Sequence, residues 1–426
     1  MAQLKDDCFA FGGELTPLVD ALSDMRSRVE TVVGIETVNL DGCLGRVLAE
    51  DLVSGRNVPP HDNSAVAGYA VYFDDLNPDE DTRLPFTGRI AAGHPLDRPA
   101  VSGEALRIFT GAPIPVGPDG TQSSGPDTIF MEEDTTADGD VVVLPCGLKR
   151  GSNRRSAGED IGIGETILTA GTRLRAQELG VAASVGCHEL PVYAGLRVAV
   201  FSTGDEVRDP SGDAPEGCIF DANRYSLKAL LNGLGCRVTD LGILPDDFDT
   251  IAAALVKAAD DHDLLITSGG VSAGEEDHVK AAVEAHGTVH MWRLAIKPGR
   301  PIALGQVGSA AFVGLPGNPV AAMVTFVVVA RPLICWLSGM SDASPKRFQV
   351  QSGFAHKKKL GRREWVRARL AADDAGRLTA YKDHSGGAGI LASMVGADCL
   401  MELDEDIETV KPGDQVVVLP FSEVMG

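Results

Sequence analysis

What the sequence lacks narrows its function first. It has no Cys-x-x-Cys, and its eight cysteines, at positions 8, 43, 146, 187, 218, 236, 335 and 399, are scattered without a Cys/His cluster at zinc spacing. A zinc site or dithiol redox motif is therefore not expected, and the cysteines read as reduced, mostly buried thiols. Gly-Lys-Ser/Thr is missing, as is Gly-x-Gly-x-x-Gly, so neither a Walker loop nor a dinucleotide fingerprint is present. Positive charge is scarce: 38 Lys and Arg stand against 60 Asp and Glu, for a net charge of -22. That balance argues against nucleic acid and anionic membranes, which bind through phosphate, but a few local cations and a helix N-terminus can still hold a small anion. The most apolar run, Val320 to Ala330, is shorter than the about 20 residues a bilayer requires and is interrupted by Arg331 and Pro332, so it reads as a buried helix. The start, MAQLKDDCFA, does not resemble a secretory signal. Together these features lead us to expect a cytoplasmic protein.

What is present is a folding composition: 426 residues, 44% hydrophobic and 23% charged, with 49 Gly and 24 Pro. At roughly 150 residues per domain, about three domains fit. Leu18, Val19, Leu22 and Met25 recur at helical spacing, with Thr16 as candidate N-cap and Pro17 at the first helical position. From about Val53 to Asp160 short β-rich runs are broken by Gly, Pro and Asp, marking a β-rich insertion. From Leu196 strands alternate with helices: strands near 196–201, 237–244, 263–267 and 310–314, helices near 223–233, 248–260, 276–286 and 319–330. Val-, Ile- and Leu-rich strands without alternation are buried on both faces, as in a parallel, doubly wound α/β sheet. Beyond about residue 345 short strands return, fitting a small terminal β-domain or barrel.

In an open α/β sheet the ligand crevice lies beyond the carboxyl ends of the strands. Four segments there are unusual: Ser202-Thr203-Gly204-Asp205-Glu206, Pro245-Asp246-Asp247, the run Ser268 to Asp277, and Leu315-Pro316-Gly317-Asn318-Pro319. The Ser268–Asp277 loop, with Gly269, Gly270 and Ser272 ahead of a helix, has the small residues that let backbone N–H groups approach an anion. Lys297 and Arg300 in Lys297-Pro298-Gly299-Arg300 could neutralise that anion. The carboxylates Asp205, Glu206, Asp246, Asp247 and Asp277 would repel it unless a hard cation such as Mg²⁺ bridges them. Either Asp246 or Asp247 could instead cap the following helix, and Asp277 could serve only as a helix-dipole partner. Ser64 has neither an adjacent His nor a Gly-x-Ser-x-Gly setting, so it is not read as a nucleophile.

Seven motifs in order, DNSAVAGYA, TGAPIP, RRSAGEDI, FSTGDE, SGGVSAGEED, LAIKPGRP and GLPGNPV, resemble the molybdopterin molybdenumtransferases, the bacterial MoeA proteins and the E-domain of gephyrin. The resemblance implies a homodimer of four-domain subunits: a helical domain of two segments (10–52 and 163–190), an inserted β-rich domain (53–162), a molybdopterin-binding α/β domain (191–343) and a C-terminal β-barrel (344–426). It implies that adenylylated molybdopterin and molybdate are substrates, that Mg²⁺ is the cofactor, and that Mo-molybdopterin and AMP are the products. Transient partners would be the molybdopterin adenylyltransferase and acceptor molybdoenzymes.

Carried over residue by residue, the implied catalytic group is Asp246, Asp277, Glu206, Lys297 and Asp160, with Asp246, Asp277 and Glu206 as metal ligands. Cofactor-binding positions are Thr110, Ser268, Gly269, Gly270, Ser272, Arg293, Lys297, Arg300, Pro316, Gly317, Asn318, Pro319 and Ser385; Arg367 is a further match. The resemblance also implies that Thr110 and the Asp62 loop complete the site of the other subunit.

The chain departs from the family where Ala67 stands in place of the usual Asp of Asn-Ser-Ala-x-Asp-Gly-Tyr, and Arg293 replaces the more usual Lys. The missing carboxylate means reduced activity, replacement by Asp62 or another nearby carboxylate, or a paralogue that binds the pterin, or acts as a scaffold, without inserting metal. A Mg²⁺-dependent nucleotide hydrolase is a third reading, and it would have to turn over free ATP. If Ala67 is a functional loss, Ala67→Asp raises the rate of molybdenum insertion in a cofactor-reconstitution assay; an unchanged or lower rate rejects that idea.

Overall fold

The computed structural model describes residues 15–270, 278–382 and 387–425. The chain divides into two compact units, one of residues 51–169 and 176–188, the other of the remaining segments.

The smaller unit is built on a six-stranded mixed sheet in the order Thr128–Met131, Gly68–Val71, Ala105–Ile108, Thr82–Ile90, Val141–Leu144, Thr136–Asp138. Alternation along these strands fills two cores. Ile90, Leu106, Ile108 and Ile129 occupy one, and Val71, Leu84, Phe130 and Leu144 the other. The β-rich insertion read from the sequence is this sheet.

In the larger unit a second six-stranded sheet runs Arg237–Leu244, Arg197–Thr203, Leu264–Ser268, Ala310–Leu315, Pro301–Val307, Gly287–Arg293. The first four strands are parallel, as the sequence suggested. The last two extend the sheet by antiparallel pairing, so the sheet is mixed rather than wholly parallel. Val198, Val200, Leu264, Ile266 and Val313 pack on one face against Leu227, Leu231 and Val324. Ala199, Phe201, Leu265 and Phe312 pack on the other against Ile251, Leu255, Val279 and Val283. Both faces are thereby sealed, which is why these strands are nearly continuous in apolar residues.

The buried helix runs from Pro319 to Leu337, further than the sequence suggested. Arg331 does not interrupt it, because its guanidinium donates to the Ala343 carbonyl at 2.7 Å. The winding changes to a π segment over Phe326–Ala330, just ahead of Pro332, which has no N–H to continue the α ladder. This helix is long and apolar enough to cross a membrane by length and composition, yet 83% of its most apolar window is buried inside the protein. Pro17 occupies the N-cap of the opening Leu18–Arg28 helix rather than its first turn; the Thr16 N–H is used by the Arg293 carbonyl.

The C-terminal strands close on themselves. Arg363–Ala372 pairs with Leu378–Lys382 on one side and Cys399–Leu403 on the other. Phe348–Ser352 and Gln415–Pro420 complete the ring. Val350, Val366, Met401 and Val418 fill this barrel. The described cysteines are all free thiols; Cys43, Cys236, Cys335 and Cys399 are buried.

Phe312 is wholly buried at the centre of the α/β sheet. Phe312→Ala is expected to destabilise the protein by about 3–5 kcal/mol in urea unfolding, from lost burial and the cavity left behind.

Candidate functional site

The parallel strands end on one edge, and strand direction determines what joins them there. Gly287–Arg293 runs parallel to that set and Pro301–Val307 runs against it. The connection from Leu294 to Arg300 therefore turns back at the same edge as Ser268 and Pro316. A cavity of about 560 Å³ lies there, lined among others by Gly269, Gly270, Lys297, Arg300, Gly317 and Asn318. The barrel contributes a further wall: His356, Glu364, Trp365, Arg367 and Lys382.

Two glycines allow the loops to meet. Gly270 has φ +64°, and a Cβ there would lie 2.7 Å from Thr203 Oγ1 and 2.9 Å from Val279 Cγ2; neither the backbone angle nor the space admits a side chain. A Cβ on Gly317 would come within 3.6 Å of the Gly269 Cα, so these two loops approach closely. The Gly269 N–H is committed to the Leu315 carbonyl at 3.0 Å, so this amide serves the fold rather than a ligand. Ser268 ends its strand buried, and its Oγ has no hydrogen-bond partner among the described residues. The neighbouring Ser202 Oγ, in register across the parallel pair, is equally without one.

The lining is strongly cationic for so acidic a chain. Lys297, Arg300, Arg367 and Lys382 face the cavity with His356, against the single carboxylate of Glu364. Glu364 is buried, and its Oε1 accepts from Lys297 Nζ at 2.9 Å and lies 3.2 Å from His356 Nε2. Burial pushes the Glu364 carboxyl up, but the hydrogen bonds from His356 and Lys297 and the Lys297 charge outweigh it and hold it below its ordinary value of 4.5. Arg367 is also buried, and its guanidinium donates to the Gly387 carbonyl at 3.3 Å.

The remaining candidates divide. Pro316 lines the cavity; Pro319 begins the next helix, with Asn318 as its N-cap. Arg293 is exposed at the end of its strand and does not line the cavity. Asp247 caps the Phe248–Asp261 helix, accepting from Thr250 Oγ1 at 2.7 Å and Thr250 N at 2.9 Å. These bonds, the hydroxyl first, hold its carboxyl below the usual range. Capping thus falls to Asp247, leaving Asp246 exposed beside it. Glu206 is likewise exposed, at the end of the adjacent strand. Among the described residues no group of three or more His, Cys, Asp or Glu is arranged to hold a metal ion. Ser272, Asp277 and Ser385 lie outside the described residues.

Thr110 and Asp160 belong to the smaller unit, where both are exposed. In that unit Asp62 is already engaged, by the Arg154 guanidinium and by the Ala157 N–H at 2.7 Å. A carboxylate so committed does not readily stand in for the one missing at Ala67.

His356, Glu364 and Lys382 escaped the sequence reading. No local pattern marks them: Glu364 follows Arg362 and Arg363 at the start of the Arg363–Ala372 strand, and its charge reads as part of a charged run until burial is known.

A doubly wound sheet whose strand-end cavity is walled by cations defines an anion-binding α/β protein. Its family is equally plain. Residues 16–186 match the MoeA N-terminal region (domain I and II), 199–335 the probable molybdopterin binding domain, and 349–421 the MoeA C-terminal region (domain IV). The chain is 37% identical over 411 residues to a protein of Haemophilus influenzae named molybdopterin molybdenumtransferase, covering 96% of this chain and 99% of that one. It is 34% identical to molybdopterin molybdenumtransferase 2 of Mycobacterium tuberculosis, covering 90% and 94%. The crystal structure of the molybdopterin biosynthesis moeA protein from Pyrococcus horikoshii OT3 superposes with a TM-score of 0.81 at 26% identity, covering 96% of this chain and all of that one. The chain belongs to the MoeA family.

The lowered Glu364 carboxyl sets a pH dependence. The unfolded chain takes up this proton at a higher pH than the folded one, so the stabilisation is complete above about 4.5 and is lost as pH falls through the folded value. Glu364→Gln is expected to flatten part of the loss of stability below about pH 4.5, as measured by urea unfolding between pH 3 and 6.

Proposed function

We propose that this chain is a molybdopterin molybdenumtransferase: it inserts molybdate into adenylylated molybdopterin, forming Mo-molybdopterin and releasing AMP. The observation that carries the reading is the cation-walled cavity at the strand edge, in a chain of net charge -22. Both substrates are oxyanions, and Lys297, Arg300, Arg367 and Lys382 supply the countercharge.

The division of labour follows from position. The Gly269–Gly270 turn lines the cavity with Lys297, and Ser268, whose hydroxyl has no partner among the described residues, leads into it; this segment and Lys297 bind phosphate oxygens. Lys297 also attracts molybdate, with Arg300 and Arg367, and Pro316 to Asn318 line the cavity beside the Gly269 turn. Roles for Ser385, Ser272 and Arg293 in cofactor binding rest on the family resemblance. No group on these residues is arranged as a nucleophile, so catalysis is by positioning and electrostatics.

Mg²⁺ fits a site of hydrated type. Glu206 and Asp246 offer hard oxygens at the ends of adjacent strands, both exposed and neither ion-paired with a described residue. Mg²⁺ commonly keeps several waters and takes only one or two carboxylates, so the absence of a three-ligand cluster is compatible with it. Asp277 would be a further ligand. When bound, the ion neutralises and polarises the phosphoanhydride. A homodimer in which Thr110 and the Asp62 loop complete the other subunit's site, Thr110 binding cofactor and Asp160 contributing to catalysis, the four-domain division, a cytoplasmic setting, and transient contact with the adenylyltransferase and acceptor molybdoenzymes belong to the same proposal.

Purified protein given adenylylated molybdopterin, molybdate and Mg²⁺ is expected to release AMP. Binding of the pterin without AMP release would instead favour a binding or scaffolding protein. Asp246→Asn should lower the rate by roughly tenfold or more while leaving the melting temperature unchanged, because the side chain is exposed and its loss removes charge at the metal rather than packing.

A further inference from the structure

Behind the cation wall, two side chains that the transferase reading does not use, Glu364 and His356, connect two of its cations, Lys297 and Lys382. Lys297 Nζ donates to Glu364 Oε1 at 2.9 Å, Glu364 Oε1 lies 3.2 Å from His356 Nε2, and His356 Nδ1 lies 3.4 Å from Lys382 Nζ. The last contact determines the proton's position. An ammonium only donates, so Nδ1 must accept, and the ring is neutral with its hydrogen on Nε2, directed at Glu364. Each donor then has an acceptor, and Glu364 is held from both sides.

Lys297 and Glu364 also face one another in register, through the parallel pairing of Ile296–Lys297 with Arg363–Glu364. This pairing ties the sheet-edge connection to the barrel. A lysine side chain carries rotamer freedom that an incoming anion would otherwise have to remove. Here it is partly removed in advance. One of the three ammonium hydrogens is committed to Glu364, leaving two for oxygens in the cavity.

We propose that Glu364, oriented by Nε2-protonated His356, is a positioning residue that fixes Lys297 for oxyanion binding. The proposal rests on the reading of the cavity as the oxyanion site. Positioning and simple charge counting predict opposite results when the carboxylate is neutralised. A lost negative charge beside the cavity would, by Coulomb attraction alone, tighten anion binding. A lost anchor for Lys297 would weaken it.

The test is calorimetric titration of molybdate into full-length wild-type and Glu364→Gln protein, alongside KM and kcat for AMP release. The amide keeps the shape of Glu364 but not its charge. Glu364→Gln is expected to raise Kd and KM for molybdate by roughly tenfold, with kcat within about twofold. His356→Gln should raise Kd by roughly threefold and carries the same test should the first variant not fold. Imidazole ¹⁵N shifts of the wild-type protein should report hydrogen on Nε2 of His356. Unchanged or tighter molybdate binding in both variants, or hydrogen on Nδ1, overturns the proposal. If wild-type protein binds molybdate but releases no AMP, the transferase reading fails while Kd still decides the role of Glu364. If wild-type protein turns over and Kd is insensitive to Glu364→Gln, the positioning role alone fails.

Discussion

The α/β sheet is sealed on both faces, and the rest of the larger unit's chemistry follows from that constraint. With Val200 and Ile266 buried on one side and Phe201 and Leu265 on the other, neither face can admit a polar ligand. Only the edge beyond the strand ends remains, where backbone groups and polar side chains leave the apolar layers. The two antiparallel strands matter because they reverse the chain and return Lys297 and Arg300 to that edge. A purely parallel sheet would have required another crossover to do so.

The ion pair between Lys297 and Glu364 then joins this edge to the barrel. A carboxylate as buried as Glu364 is unfavourable unless it is partnered, and its partners, Lys297 and His356, both line the cavity. The barrel accordingly supplies part of the binding wall as well as its own core. The same arrangement reconciles the acidic net charge with an anionic substrate. The chain as a whole is acidic, whereas the charged side chains lining the cavity are cations except for Glu364. Local field rather than net charge governs what the cavity accepts.

Much of the fold was legible in the sequence because burial leaves a periodic record. The apolar runs near 196–201, 263–267 and 310–314 read as strands buried on both sides and lie at 197–203, 264–268 and 310–315, and the helix read at 248–260 ends one residue later. The strands Gly287–Arg293 and Pro301–Val307 were not seen. They carry Gly, Pro, His and Gln, whose propensities speak against a strand, and sheet pairing overrides them. The helix Pro319–Leu337 ran through Arg331 and Pro332 because tertiary structure gave the guanidinium an acceptor and a π turn absorbed the proline.

By itself the sequence determined the class of the sheet, the strand-end loops and the family, since these rest on local pattern and on motifs in fixed order. It could nominate Lys297 and Arg300 as anion ligands because they follow the apolar segment Trp292 to Ile296. It could not say that Asp247 rather than Asp246 caps a helix, that Asp62 is already held by Arg154, or that Glu364, His356 and Lys382 meet Lys297. Those facts join residues up to 92 positions apart, and hydrogen bonds and ion pairs act over a few ångströms of space, not of sequence. Only the folded chain brings such groups within that range.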